Sequence, residues 1–64
     1  MESHTIIYEG LEMTVFGNWE EAEPETGYKG GWSTMLIKVN DVDCYWMFKP
    51  SVIERISDII TETR

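Results

Sequence analysis

Leu11, Met13, Val15 and Trp19 fall on one parity of a segment whose other parity carries Glu12, Thr14, Asn18 and Glu20, with Phe16 as the single apolar residue on that second side. A period of two is that of a half-buried strand, so residues 11–20 predict a strand with its Leu11 side toward a core. Just upstream, Thr5-Ile6-Ile7-Tyr8 is β-branched and aromatic, and Glu9-Gly10 supplies the glycine of a tight turn. Residues 5–8 and 11–20 therefore read as a hairpin.

The alternation stops at Glu21. Pro24, Gly27, Gly30 and Gly31 exclude a continuous helix or central strand, which makes residues 21–31 one long loop. Strand character returns over residues 32–39, with Met35, Ile37 and Val39 on one side and Trp32, Thr34, Leu36 and Lys38 on the other. Asn40-Asp41 turns the chain, because both residues tolerate positive φ. Residues 42–48 are apolar or aromatic at nearly every position, which predicts a fourth strand buried on both sides or held in an interface.

A helix over residues 51–62 closes the chain. Pro50 holds the preceding residue extended, Ser51 and Glu54 have the S-x-x-E spacing of a capping box, and Val52, Ile53, Ile56, Ile59 and Ile60 recur at helical spacing. Glu54, Arg55, Asp58 and Glu62 occupy its outer side. The apolar stripe needs a cover, and the sheet is the only one available. The expected fold is α+β: a three- to four-stranded antiparallel meander with one C-terminal helix on one face, in a single domain.

Sixty-four residues with 42% hydrophobic content suffice for one core and leave no room for a deep pocket besides. Twelve acidic residues against five basic ones give a net charge of -7, which opposes direct contact with nucleic acid or anionic membranes and favours a partner with a basic surface. Cys44 is the only cysteine, so no intrachain disulfide forms, and a cytoplasmic location is expected. The acidic start Met1-Glu2-Ser3-His4 and the lack of a long apolar run predict neither a signal peptide nor a membrane span.

Catalysis is not expected. His4 lies in what reads as a frayed terminus, and Cys44 lies in the most apolar segment, where a thiol behaves as a small hydrophobe. No metal-ligand spacing and no phosphate-binding glycine motif is present, so no cofactor is expected.

Two features stand out against this background. Glu20, Glu21, Glu23 and Glu25 crowd into six residues between Trp19 and Trp32, with Tyr28 in the same loop. Together these seven residues form a candidate partner-binding surface, in which carboxylates meet basic groups and an aromatic ring anchors the contact. The plain alternative is a solvated loop with both tryptophans in the core. Second, one helix covers one face of the sheet, so Phe16, Trp32, Leu36 and either the Tyr45/Met47 or the Trp46/Phe48 set fall on the opposite face, where Phe16, Leu36, Tyr45 and Met47 are candidates for an apolar surface that self-association would bury.

Tyr8-Glu9-Gly10 in the hairpin, the acidic loop Glu21-Ala22-Glu23-Pro24 and the segment Val39-Asn40-Asp41-Val42-Asp43 before a short helix resemble a pattern in small bacteriophage proteins. Those proteins usually carry Asn-Gly at the turn where this chain has Asn40-Asp41. The resemblance implies a phage or prophage origin, with the host cytoplasm as the place of action, and by analogy an inhibitor of a host protein. The alternative expectation is a structural homo-oligomer with no charged target.

Overall fold

A computed structural model describes residues 1–63 and contains a four-stranded antiparallel sheet with one C-terminal helix, the α+β class expected. The strands are β1 Glu2–Tyr8, β2 Leu11–Glu20, β3 Gly31–Val39 and β4 Val42–Asp43, in the order β1-β2-β3-β4. One turn of 3-10 helix at Tyr45–Met47 leads to α1, Pro50–Glu62. Two-residue turns join β1 to β2 and β3 to β4, and each has both central residues at positive φ: Glu9 at 50° with Gly10 at 83°, and Asn40 at 51° with Asp41 at 64°. That geometry matches the right-handed twist of the strands it connects.

The core is Met13 and Val15 from β2, Trp32 and Ile37 from β3, and Ile56 and Ile60 from α1. Ile6, Tyr8, Trp19, Val39, Val52 and Ile53 pack around it. Hydroxyl groups fix the helix against β3. Thr34 Oγ1 lies 2.7 Å from Ser57 Oγ, and the Trp32 N–H donates to Thr61 Oγ1 at 3.0 Å. Gly31 permits this approach, since a Cβ there would meet Thr61 Oγ1 at 2.8 Å.

Strict alternation along the third strand fails at one point. Thr14 pairs with Lys38, Val15 with Ile37 and Phe16 with Leu36, but Gly17 then pairs with Thr34, so Met35 is the extra residue of a β-bulge. A bulge reverses the side-chain parity beyond it. Trp32 and Thr34 consequently face the helix together with Ile37 and Val39, whereas periodicity had set Trp32 and Thr34 on the opposite side.

The fourth strand is also shorter than residues 42–48 suggest. It pairs with β3 only at Val42 and Asp43, after which the Cys44 N–H bonds to the Ile37 carbonyl at 2.7 Å and the Tyr45 N–H bonds to Asp43 Oδ1 at 3.0 Å. The aspartate offers the backbone a local acceptor in place of the ladder, and the chain turns into the 3-10 helix. Cys44 is half-buried rather than sealed inside a strand. At α1 no side chain caps the first turn: Lys49 is the N-cap and Pro50 stands at the first helical position, so Ser51 and Glu54 form no capping box. Proline there loses nothing by lacking an N–H, and its fixed φ suits the helix.

Candidate functional site

The segment expected as an irregular loop is a braced finger. Beyond the last β2–β3 pair, Glu20 with Gly31, the strands continue as a narrow hairpin closed by an isolated bridge between Glu23 and Tyr28. The Glu23 N–H bonds to the Tyr28 carbonyl at 2.8 Å and the Tyr28 N–H returns to the Glu23 carbonyl at 3.2 Å. The tip, Pro24-Glu25-Thr26-Gly27, is held by Thr26 N–H on the Glu23 carbonyl at 3.1 Å and by Gly27, whose φ of 79° completes the reversal. At the base, a Cβ on Gly30 would approach the Ala22 nitrogen to 2.7 Å, so the two arms touch only because that residue is glycine.

Glu20, Glu21, Glu23 and Glu25 are all exposed on this finger. Among the described residues no lysine or arginine pairs with them. The Tyr28 hydroxyl donates to Glu20 Oε1 at 3.1 Å. Its phenol is held above the ordinary value of 10.0, first by desolvation, then by that hydrogen bond and by the charges of Glu20 and Glu23.

The two tryptophans at the base divide. Trp32 is 4% exposed and belongs to the core, which corrects its placement on the binding surface, and among the described residues its Nε1 has no hydrogen-bond partner. Trp19 is half-buried, and its Nε1 donates to Glu2 Oε2 at 2.7 Å. His4 is not in a frayed end. It lies in β1 with Nε2 2.8 Å from Glu2 Oε2, and its ring meets the rings of Trp32 and Trp19 edge-on at 4.8 and 5.8 Å. Glu2 and His4 thus brace the finger's base, a role visible only once strand register sets His4 opposite Val15.

On the face away from the helix, Phe16 and Leu36 are cross-strand partners, both half-buried, with Lys38 Nζ 5.5 Å from the centre of the Phe16 ring. Met35 and Ile7 lie 54% and 70% exposed. Tyr45 is not on this face: it packs with Phe48 against the core, and the 3-10 turn instead turns Trp46 and Met47 outward, 77% and 64% exposed. Strand alternation sets Trp46 and Met47 on opposite faces, and the 3-10 turn leaves both exposed.

No three His, Cys, Asp or Glu side chains among the described residues converge as a metal-binding group, and no helix among them is long and apolar enough to cross a membrane. Comparison with family models, with curated proteins and with solved structures gave no match.

Proposed function

We propose that this chain is a small acidic protein-binding module, acting by association and not by catalysis, whose finger docks on a basic surface of another protein. The supporting observation is the finger itself: four exposed carboxylates that no described lysine or arginine neutralises, on a hairpin that hydrogen bonds hold in shape. A preformed contact surface saves the ordering cost that a loose loop incurs on binding. Tyr28, 42% exposed, and the outer edge of Trp19 supply packing area beside the charges. The resemblance to small phage proteins adds a setting, inhibition of a host protein in the host cytoplasm.

The test is affinity capture from a bacterial lysate, followed by kinetics with the captured protein. Long-range attraction makes the association rate fall as salt rises, and changing Glu20, Glu21, Glu23 and Glu25 together to Gln is expected to slow association by about tenfold or more with the fold intact. An association rate indifferent to both salt and these changes would remove the reading.

A second reading, a structural homo-oligomer, draws on the exposure of Ile7, Met35 and Met47 together with the half-buried Phe16–Leu36 pair. It predicts a molar mass by light scattering that rises with concentration and returns to the monomer value on Phe16→Glu.

A further inference from the structure

Among the described residues the strand order leaves the outer side of β1 without a neighbouring strand, whereas its inner side pairs with β2 without interruption from Glu2 to Tyr8. An edge of this kind presents a row of backbone donors and acceptors, and proteins usually guard it with lysine, proline or a bulge. Ser3-His4-Thr5-Ile6-Ile7-Tyr8 contains none of these. The contrast with β3 is informative, because there the helix covers the edge and Thr61 takes up the Trp32 N–H.

Beside the Tyr8 end of β1 runs a groove of about 560 Å³ between the strand and α1. Ile59 gives it an apolar wall, and among the described residues Glu9, Asp58 and Glu62 stand around it with the guanidinium of Arg55. Among the described residues none of these four charged groups is in an ion pair. The groove therefore combines an apolar strip with surplus negative charge, alongside backbone able to accept another strand.

We infer that this edge and groove form a docking site for an extended basic segment of another protein, which adds beside β1 as a further strand. Main-chain hydrogen bonds supply attachment and alternate side chains supply specificity. One lysine or arginine of the segment lays its methylene stem along Ile59 and carries its charge among Glu9, Asp58 and Glu62. Charge complementarity selects this occupant over a second copy of the chain, which would bring the same excess of carboxylates from a protein of net charge -7. The inference shares with the finger reading only the premise of a basic protein partner. It uses a different surface, since the finger begins beyond Glu20, past the Glu2 end of β1, and the groove lies at the Tyr8 end.

The test uses the full, isotope-labelled chain and a short capped peptide of alternating valine and lysine, followed by amide chemical shifts and hydrogen exchange. Expected are shifts along Ser3–Tyr8 and around Asp58 and Glu62, with alternate β1 amides protected from exchange. Asp58→Asn with Glu62→Gln is expected to weaken the peptide about tenfold, and the finger Glu→Gln variant to bind it unchanged. Both sets lie on exposed positions, and unchanged dispersion of the amide spectrum reports an intact fold. No binding, binding without protection in β1, or binding lost with the finger carboxylates overturns the inference. So does concentration-dependent protection of β1 without peptide, which makes a second copy the occupant. A lysate partner that still needs the finger after such a result leaves the finger reading standing.

Discussion

Trp19 and Trp32 face each other across β2 and β3 with ring centres 5.3 Å apart and planes at 74°, yet the second is buried and the first reaches the surface. The pair marks where the sheet's core ends and the finger begins. His4 meets both rings edge-on, and Glu2 accepts from Trp19, so the finger stands on an aromatic base tied to β1. Edge-to-face rings are worth about 0.5–1.5 kcal/mol each beyond the area they bury, and that is a sizeable share of the stability of a chain this small.

Gly17 is the first requirement of that base. A Cβ at this position would run into the Ser33 carbonyl and lie 3.1 Å from Trp32 Cζ2, and both obstacles are fixed, one by backbone and the other by the core. Gly17→Ala is therefore expected to cost about 1–3 kcal/mol, a large part of the total, and to lower the urea midpoint accordingly. A midpoint equal to that of the parent chain would mean that the bulge can relax.

The three tryptophans differ enough in exposure to be read by fluorescence. In variants that keep one tryptophan each, with Phe at the other two positions, acrylamide is expected to quench Trp46 most, Trp19 less and Trp32 least. The order follows from 77% exposure, partial burial and 4% exposure. Trp46→Ala is expected to shift stability by less than about 0.5 kcal/mol, as for other surface changes. Strong quenching of Trp32 would place it on the face that strict alternation assigns.

That last contrast shows what the sequence made legible. The hairpin, the apolar stripe on α1 and the α+β class follow from periodicities of two and 3.6 that no later residue interrupts. Alternation puts Trp32 on the wrong face because a bulge has no periodic signature: Met35 looks like any strand residue, and its extra place becomes visible only in the pairing of Gly17 with Thr34. The finger reads as an irregular loop in sequence for a related reason. Its order comes from cross-chain bonds between Glu23 and Tyr28 and from glycines at positive φ, which composition alone presents as flexibility. The four carboxylates were legible as a cluster. The Tyr28 bond to Glu20 and the base of Trp19, His4 and Glu2 beneath the finger are not, since both depend on register.

The Asn40-Asp41 turn offers a stabilising change. Asp41 sits at φ 64° in the left-handed region, where an L side chain crowds the following carbonyl and glycine does not. Asn-Gly is the favoured pair for a turn with both central residues at positive φ. Asp41→Gly is expected to raise stability by roughly 0.5–1 kcal/mol, seen as a higher thermal midpoint with an unchanged amide spectrum outside residues 39–43. A lower midpoint would indicate that the aspartate side chain contributes more than its backbone costs.

Tyr28 ties the order of the finger to alkaline pH. Its phenol is held above the ordinary value of 10.0 by desolvation first, and then by donating to Glu20 near the charges of Glu20 and Glu23, all of which favour the neutral form in the folded chain. Below pH 10.0 the phenol is protonated in both folded and unfolded chains, and its contribution to stability is fully present. As pH rises past that point the unfolded chain loses the proton first. The folded chain then holds more protons than the unfolded one, and stability falls with pH until the folded phenol ionises as well. In a Tyr8→Phe/Tyr45→Phe background, near-ultraviolet absorbance is expected to show Tyr28 ionising at higher pH than free tyrosine. Glu20→Gln is expected to lower that midpoint without abolishing the shift, because desolvation remains. Tyr28→Phe is expected to flatten the alkaline fall in stability. A Tyr28 midpoint at or below that of the free amino acid would show that the Glu20 contact is not formed in solution, and the finger would lose the side-chain brace that joins its two arms.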